Sequence, residues 1–434
     1  MTPQKKILII TYYWPPAGGP GVQRWLKFAK YLPENGWAPV IYTPENPSYP
    51  LLDESLMKEV PEGIETVKTP IWEPYQLAEK LNKSNKKFKA GQFDVGKNQS
   101  WKSRLSIWVR GNFFIPDARV FWVKPSVAFL EKYLRDNHIN VIVTSGPPHS
   151  LHLIGLGLKN KMPGLKWIAD FRDPWTEISY YKHLKLTRRS DKKHRRMESE
   201  VFKNADFTLA TSYTDAENFR KNGANAICIT NGFDETIPAV DSTAQNRNPK
   251  FTLSYIGVLE QLRNPEVLWT ALDELIRTNA DFAENFVLKF AGRVDDKIME
   301  SIKHSSLKNH MVDLGYLSHD RAVEEMRDST LLLITNFPND SSRGIIPGKI
   351  FEYLATGKQI ISFGPRDADV ATILNETKAG KHFSYQDTGK ITGFILERFE
   401  IWKNGTLTEN KGSIERFSRK SLTAKLAEIL DQIS

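Results

Sequence analysis

The chain has 434 residues, 40% hydrophobic and 26% charged, and this length allows two or three domains that each bury a core. The net charge of +9 favours anionic partners, namely phosphates, an acidic membrane surface or nucleic acid, without selecting one of them. The single cysteine, Cys228, excludes an intramolecular disulfide, and no apolar run reaches the roughly 18–20 residues needed to span a bilayer. We therefore expect a cytoplasmic protein, or one attached peripherally to the inner face of the cell membrane.

In the first half, short apolar runs alternate with helix-length amphipathic segments, a pattern typical of parallel α/β domains. Strands are predicted at Ile7–Thr11, Pro39–Tyr42, Val141–Ser145, Trp167–Phe171, Phe207–Thr211 and Ala226–Thr230. Helices are predicted at Val22–Glu34, Pro125–Asn137, His149–Lys161, Met197–Lys203 and Tyr213–Asn222. The glycines Gly155 and Gly157 fall inside one of these helices, so we assign them to packing.

The polar stretch Thr236–Lys250 predicts a linker, after which the alternation restarts. Strands follow at Phe251–Gly257, Phe286–Gly292, Val312–Gly315, Thr330–Thr335 and Gln359–Phe363. Helices follow at Pro265–Arg277, Asp295–Lys303, His319–Arg327, Lys349–Ala355 and Ser418–Ile433. The sequence thus predicts two doubly wound α/β domains, 1–240 and 251–434, facing a cleft. Ligands of such sheets bind in the loops beyond the carboxyl ends of the strands.

The first such loop is rich in glycine and lies between the first strand and the first helix. Gly18, Gly19 and Gly21 permit backbone conformations that expose amides near a helix N-terminus, where a phosphate is stabilised. The alternative is a tight turn in which the glycines serve packing alone. In the second half, Lys349 and Glu352 share one helix face, suited to a phosphate and a ribose diol respectively. The alternative there is an ordinary surface ion pair.

Six segments, in this order, resemble the large family-4 class of retaining glycosyltransferases with the GT-B fold. They are YYWPPAGGPGVQR, ITNGFDE, YIGVLEQLRNP, FAGR, LGYLSHD and IPGKIFEYLATGKQII. The resemblance extends from Lys6 to the last helix. It implies two Rossmann-like domains, an N-terminal one for the acceptor and a C-terminal one for a nucleotide-sugar donor, with the last helix packing back on the N-terminal domain.

The resemblance also implies roles for individual residues on the donor side. Glu352 would bind the ribose, and backbone groups of Tyr316 and Leu317 would hold the nucleobase. The diphosphate would meet Gly18, Gly19, the loop after Gly257, Arg263, Arg293 and Lys349. One position departs from the family pattern: Gly344 stands where many members have a first glutamate, which leaves the contacts to the donor sugar open.

Arg172 and Asp173 are the candidates for residues close to the transferred sugar, because relatives often have a histidine or aspartate in the loop Asp170–Trp175. A salt-bridged structural loop is the alternative. The acceptor-side candidates are Trp14, Asp117, Arg119 and His149. His149 also fits an N-terminal helix residue.

Two basic stretches, 80–110 and 182–196, are insertions in the first half. The first interleaves its lysines and arginines with aromatic residues, a combination that suits an anionic membrane surface, a lipid-carried acceptor or an anionic glycan. A solvated loop is the alternative, and no nucleic-acid module surrounds either stretch. Asp367-Ala-Asp369 has the D-x-D form of a metal motif, but its place in a GT-B pattern assigns it to the donor-side loop.

We therefore expect a hexosyl-type glycosyltransferase that moves a sugar from a UDP- or GDP-linked donor to a hydroxyl of a glycan or lipid-linked acceptor. The products would be cell-surface polysaccharide or lipopolysaccharide. Neither a metal nor another cofactor is expected, because Arg263, Lys349 and the glycine amides would stabilise the leaving diphosphate. Two alternatives remain: a nucleotide-sugar 2-epimerase of the same fold, and a non-catalytic scaffold that binds a nucleotide, a lipid or a glycan.

Overall fold

The structure is a computed structural model that describes residues 4–74, 101–178, 181–234, 249–405 and 414–434. The chain divides into two compact units. The first contains Met1–Asn231 together with Arg419–Ser434, and the second contains Gly232–Ser418. The sequence-predicted linker lies almost wholly outside the described residues, as does the part of the first basic insertion between residues 80 and 100.

The first unit is a seven-stranded parallel sheet with helices in the connections. Its strands are β1 Lys5–Thr11, β2 Trp37–Pro44, β3 Glu65–Thr69, β4 Val141–Gly146, β5 Lys166–Phe171, β6 Phe207–Ala210 and β7 Ala226–Cys228. The strand order is β3-β2-β1-β4-β5-β6-β7. Its helices are α1 Pro20–Tyr31, α2 Trp101–Phe113, α3 Val120–Asp136, α4 Ser150–Lys161, α5 Arg188–Asn204 and α6 Tyr213–Lys221.

The second unit is a six-stranded parallel sheet in the order β10-β9-β8-β11-β12-β13. Its strands are β8 Phe251–Ile256, β9 Phe286–Ala291, β10 Met311–Asp313, β11 Leu331–Thr335, β12 Gln359–Phe363 and β13 Gly380–Phe383. Its helices are α7 Glu266–Thr278, α8 Ala280–Asn285, α9 Asp296–Lys303, α10 His319–Asp328, α11 Lys349–Ala355, α12 Asp369–Thr377 and α13 Thr388–Lys403.

The last helix, α14 Arg419–Ile433, belongs to the first unit. Alternate residues of β1 enter cores on opposite faces of the sheet, as the two-residue period of a strand requires. Ile7 and Ile9 lie in the core that also contains Leu422, Leu426 and Leu430 of α14. The predicted return of the last helix to the N-terminal domain is confirmed. Within the described ranges, no helix is both long enough and apolar enough to cross a bilayer.

Two helices are longer than the sequence reading allowed. Helix α5 begins at Arg188 instead of Met197, because its basic residues surround a buried stripe. That stripe is Ser190, His194, Glu198, Val201 and Phe202. Helix α3 begins at Val120 and contains Pro125, which the prediction had placed in the first turn. Trp122 anchors this earlier start, since its ring stacks on Tyr42 at 4.9 Å.

The glycines within α4 serve packing, as expected. A Cβ on Gly155 would lie 2.3 Å from the Trp167 ring, and one on Gly157 would lie 2.7 Å from Val127. Both distances are far below a normal carbon contact, so the helix can approach its neighbours this closely only without side chains at these positions.

Candidate functional site

At the carboxyl edge of the second sheet, the turns after β8 and β9 pack directly on each other. Gly257 and Gly292 have φ values of 120° and 118°, a region that side-chain-bearing residues rarely adopt. A Cβ on Gly292 would lie 2.3 Å from the Gly257 carbonyl oxygen, and one on Gly257 would lie 2.8 Å from the Lys349 ammonium. The two glycines therefore allow the backbone to close around Lys349.

Lys349, the first residue of α11, extends its side chain beneath this edge. Its Nζ donates to the Ile256 carbonyl at 2.7 Å and lies 4.4 Å from the centre of the Tyr255 ring. Burial and the nearby positive charge of Arg263 lower the pKa of Lys349 to about 8, and Glu352 opposes this shift. Two cations are thus held close enough to repel each other.

Arg263 is held in place through both its side chain and its backbone. The guanidinium donates to the Val258 carbonyl at 3.1 Å and pairs with Glu260 at 3.2 Å. Its backbone carbonyl accepts a hydrogen bond at 3.0 Å from Tyr385, whose hydroxyl also lies 2.6 Å from the Asn336 carbonyl. The sequence reading missed Tyr385, which follows β13, a strand that it did not predict.

The other donor-side candidates line the same edge. Glu352 is half-buried and makes no side-chain hydrogen bond or ion pair with any described residue. Arg293 is exposed in the turn after β9. Tyr316 is 93% exposed in the turn after β10, and Leu317 beside it is half-buried. The second unit therefore presents two adjacent cations, one uncommitted carboxylate and an exposed aromatic ring at the edge where ligands of such sheets bind.

In the first unit, the glycine loop after β1 is fastened to the segment around Leu51. The Gly18 amide donates to the Leu51 carbonyl at 2.9 Å, and Asp53 donates its amide to Pro16 at 2.8 Å. The Gly18 amide is therefore already engaged within its own unit. Gly19 has a φ of 89° and precedes α1, and its amide has no partner among the described residues. Gly19 is the better placed of the two predicted amides to meet an anion.

Arg172 connects three loops of the first sheet. Its guanidinium donates to the Gly21 carbonyl at 2.9 Å and to the Pro147 carbonyl, and it lies 5.5 Å from the Tyr13 ring. These contacts join the turns after β1, β4 and β5. Asp173, next to it, is exposed. The arrangement gives Arg172 a positioning role and leaves Asp173 as the accessible carboxylate of this loop.

The loop is anchored by a buried ion pair that the sequence reading did not identify. Asp170 accepts from Arg24 Nη2 at 2.9 Å, from Trp25 Nε1 at 2.7 Å and from Ser145 Oγ at 3.0 Å. The side chains of Asp170 and Arg24 are 0% and 1% exposed. An arginine three residues after the last glycine of the loop, Gly21, carries no sequence signal that distinguishes a buried ion pair from a surface one.

Three acceptor-side candidates are committed to structural contacts. Asp117 accepts from the Ser150 amide at 2.9 Å and from the Ser150 hydroxyl at 2.8 Å, and so satisfies the N-terminus of α4. Arg119 pairs with buried Glu73 at 2.9 Å. Trp14 is buried, with 4% of its surface exposed. Glu73 has no motif around it and could not be recognised as a partner of Arg119 from the sequence.

His149 differs from these, because it is buried and both its ring nitrogens lack hydrogen-bond partners among the described residues. Its ring stacks on Trp175 with a centroid distance of 5.1 Å and an angle of 6°. Burial, followed by the charges of His152 and Arg172, holds the pKa of His149 well below its ordinary value. Burial likewise lowers the pKa of His152 to about 3. Both imidazoles are neutral at physiological pH.

The D-x-D segment lies in the loop before α12. Asp367 pairs with Arg343 at 3.4 Å, and Asp369 begins the helix. Across the ranges that the structure covers, no three His, Cys, Asp or Glu side chains are grouped in a way that would hold a metal ion.

No protein-family model matches the chain, and no curated protein sequence matches it significantly. Solved structures do match it over almost its whole length. They include a glycosyltransferase from Rickettsia africae with 14% identity, a TM-score of 0.59 and coverage of 99% of this chain and 98% of that one. The HepE protein of Anabaena, solved with UDP-glucose, has 13% identity and a TM-score of 0.57, with coverage of 98% of this chain and 99% of that one. WaaG, a glycosyltransferase involved in lipopolysaccharide biosynthesis, has 13% identity and a TM-score of 0.51, with coverage of 98% of this chain and 99% of that one.

Likeness at this identity shows the fold alone. The predicted α/β architecture of two Rossmann-like domains, shared with GT-B proteins, is confirmed.

Proposed function

We propose that the protein is a hexosyl-type glycosyltransferase that moves a sugar from a UDP- or GDP-linked donor to a hydroxyl of a glycan or lipid-linked acceptor. The observation that supports this most is the pair Lys349 and Arg263 at the carboxyl edge of the second sheet. Two cations held so close that one lowers the pKa of the other form a place for a multiply charged anion. A nucleoside diphosphate supplies such an anion.

The chemistry needed is stabilisation of the leaving group. When the bond between the sugar and the diphosphate breaks, negative charge grows on the diphosphate oxygens. Charged donors already fixed in position stabilise that charge without reorganising. Lys349 is fixed by the Ile256 carbonyl, and Arg263 is fixed by Glu260 and Val258. These two cations supply the role that a divalent metal has in other transferases, so the proposed reaction includes no metal.

The remaining contacts to the donor would come from residues at the same carboxyl edge of the second sheet. Glu352 lies one turn after Lys349 with its carboxylate uncommitted, and it would accept hydrogen bonds from the two ribose hydroxyls. The backbone beside Tyr316 and Leu317 would hold the base. The UDP-glucose complex of the structural neighbour HepE supports a nucleotide-sugar donor. The motif order supports the family-4 class and retention of anomeric configuration, which the configuration of the product would decide.

The acceptor is assigned to the first unit. Asp173 is the accessible carboxylate beside Arg172, and the buried His149–Trp175 stack would support the loop that carries it. We propose a product of the cell-surface polysaccharide or lipopolysaccharide class. The role of the neighbour WaaG in lipopolysaccharide biosynthesis supports this class.

A nucleotide-binding panel tests the donor site. UDP, GDP, ADP, TDP and CMP are added in turn to the wild type and to Glu352→Ala, and the melting temperature is measured. One diphosphate is expected to stabilise the wild type by roughly 2.7 kcal/mol at a hundredfold excess over its Kd, and this gain is expected to disappear in Glu352→Ala.

The matched control is Glu300→Ala, an exposed glutamate on α9 of the same unit, which should keep the full response. A protein that responds to no nucleotide would contradict the proposal and favour a scaffold role. Release of a free, modified nucleotide sugar without any acceptor would identify a 2-epimerase instead.

We further propose that the first unit attaches to an anionic membrane, where a lipid-carried acceptor would lie. Helix α2 and its surroundings expose large apolar side chains. These are Trp72, Leu105, Trp108, Phe113 and Phe121, with exposed fractions of 36–68%. Some of these rings contact each other: the ring centroids of Trp72 and Phe121 lie 4.8 Å apart, and those of Trp108 and Phe113 lie 5.6 Å apart. Exposed aromatic rings suit the interface between water and lipid.

The basic helix α5 begins next to these aromatic residues. Asn112 of α2 donates to the Lys185 carbonyl at 3.2 Å and accepts from the Thr187 amide at 2.7 Å, which joins α2 to the start of α5. Four exposed cations of α5 form no ion pair with any described residue. They are Arg188, Arg189, Lys192 and Lys193. Unpaired cations beside exposed aromatic rings match the chemistry of an anionic bilayer.

Vesicle sedimentation tests this surface. The wild type is expected to bind vesicles containing phosphatidylglycerol and to leave phosphatidylcholine vesicles unbound. Changing the four α5 cations to glutamine should weaken binding at least a hundredfold, since each contributes about 1 kcal/mol near such a surface. A control with the same net charge changes four exposed lysines of the second unit, Lys297, Lys303, Lys308 and Lys390. Equal loss in both variants would show charge attraction without a defined surface and contradict the proposal.

A further inference from the structure

A pocket of about 350 Å³ lies in the second unit, and neither Lys349 nor Arg263 lines it. It is bounded by the end of α12, the first residues of β12 and β13, and the middle of α13. Gln359 and Gly380 begin their strands, whereas the Lys349 site lies at the carboxyl ends. The five residues of β12 separate the two edges by about 13 Å. This pocket is therefore not part of the proposed donor site.

The charged side chains that line the pocket are mostly positive. Lys378, Lys381 and Arg398 face it, against the single carboxylate of Glu397. Glu397 pairs with the neighbouring Arg398. Neither lysine ammonium has a hydrogen bond or an ion pair with any residue in the described ranges, and the Arg398 Nε is buried without a hydrogen-bond partner there. The pocket thus keeps at least two positive charges that the protein itself does not neutralise.

The backbone at Lys378 adds an independent observation. Lys378 ends α12 with a φ of 53°, in the left-handed region. Glycine is the ordinary residue at this position because a side chain there is strained. A cation at the end of α12 does favour the helix dipole, but this effect explains neither Lys381 nor Arg398. Strain at a residue whose charge lines a pocket supports the hypothesis that the lysine is kept for binding at the expense of stability.

We propose that this pocket binds a small phosphorylated ligand of about the size of a sugar phosphate. Its volume lies at the lower end of the range of small-molecule sites, roughly 300–1,000 Å³. The cations would hold the phosphate, and the amide side chains of Gln359 and Asn375 would contact hydroxyl groups. Phe394 supplies an apolar wall for the rest of the ligand. This inference goes beyond the proposed transfer reaction and does not depend on it.

Calorimetry on the full chain tests the pocket, with glucose 6-phosphate and inorganic phosphate as the two probes. The decisive variant is Lys378→Gly, which removes the charge and relieves the backbone strain together. Its affinity for both probes should fall by tenfold or more, about the value of one charge-assisted hydrogen bond. Its melting temperature should rise by roughly 2–4 °C. Lower affinity in a more stable protein cannot result from unfolding.

Arg398→Gln should weaken the probes similarly, whereas Lys390→Gln, on the same helix but outside the pocket, should bind as the wild type does. Tighter binding of glucose 6-phosphate than of phosphate would identify a sugar phosphate as the better ligand. In Lys349→Gln, the probe binding that Lys378→Gly and Arg398→Gln weaken should remain, which separates this test from that of the donor site. Absence of probe binding in the wild type, or unchanged affinity in both Lys378→Gly and Arg398→Gln, would overturn the proposal.

Discussion

Lys349→Gln is expected to lower kcat/KM for sugar transfer by about 100- to 1,000-fold, the usual effect of removing one fixed donor to a developing oxyanion. Glutamine keeps most of the side-chain length and can still donate to the Ile256 carbonyl, so the local packing is retained. The substitution therefore removes only the positive charge of Lys349. Removing it also ends the repulsion with Arg263, so the melting temperature should stay the same or rise.

The lowered pKa of Lys349 adds a pH signature to this prediction. Lysine carries its charge below its pKa, which is about 8 here, and is increasingly neutral above it. A bound diphosphate favours the charged form, so the affinity for the nucleotide should be constant below pH 8 and should fall as the pH rises beyond it. Calorimetric titrations between pH 6.5 and 9.5 measure this dependence, and Lys349→Gln should lack it.

Lys303→Gln is the matched control, because Lys303 is an exposed basic residue of the same unit, at the last position of α9 and outside the donor-site candidates. Its effect on kcat/KM should stay under about tenfold, as for other exposed charges. A wild-type affinity that shows no change between pH 7 and 9, together with full activity in Lys349→Gln, would remove Lys349 from the donor site.

The buried strands could be predicted from the sequence because each is a short, continuous aliphatic run. Helix Lys349–Ala355 and strand Gln359–Phe363 agree with the structure to the residue. The edge strands Glu65–Thr69 and Gly380–Phe383 could not, because they have little apolar signal. In Gly380–Phe383 the only buried residue is Phe383, and Gly380 leaves no room for a side chain because its Cβ would lie 1.9 Å from the Ile360 carbonyl. Such an edge strand forms because it pairs with the neighbouring strand, and its own sequence gives little indication of it.

In the candidate site, too, some features could be predicted from the sequence and others could not. Lys349 and Arg263 were named from motifs, and their closeness in space is a property of the fold. The motif around Gly18 indicated free amides, but a distant segment at Leu51 takes up the amide of that glycine. Tyr385, which holds the Arg263 backbone, lies 122 residues further along the chain. Contacts across such distances leave no local pattern, and only the packed structure reveals them.

Asp170→Ala is expected to destabilise the first unit by about 3–5 kcal/mol, the effect of leaving one charge of a buried pair without its partner. The carboxylate accepts from Arg24, Trp25 and Ser145, and none of these donors has access to water as a replacement. Urea unfolding of the full chain measures the loss, followed by the fluorescence of tryptophans such as Trp25. Because this network underlies the turn that contains Arg172, we also expect weaker acceptor binding in the variant.

The matched control is Asp431→Ala, which removes an exposed pair of the same unit. Lys5 and Asp431 lie 3.0 Å apart with side chains 55% and 56% exposed, and such pairs contribute about 0–1 kcal/mol. Adding Arg24→Met to Asp170→Ala should restore part of the lost stability, because the unpaired buried charge is then gone. If Asp170→Ala costs no more than Asp431→Ala, or if Arg24→Met adds its full cost on top, the buried pair does not hold the acceptor-side loop in place.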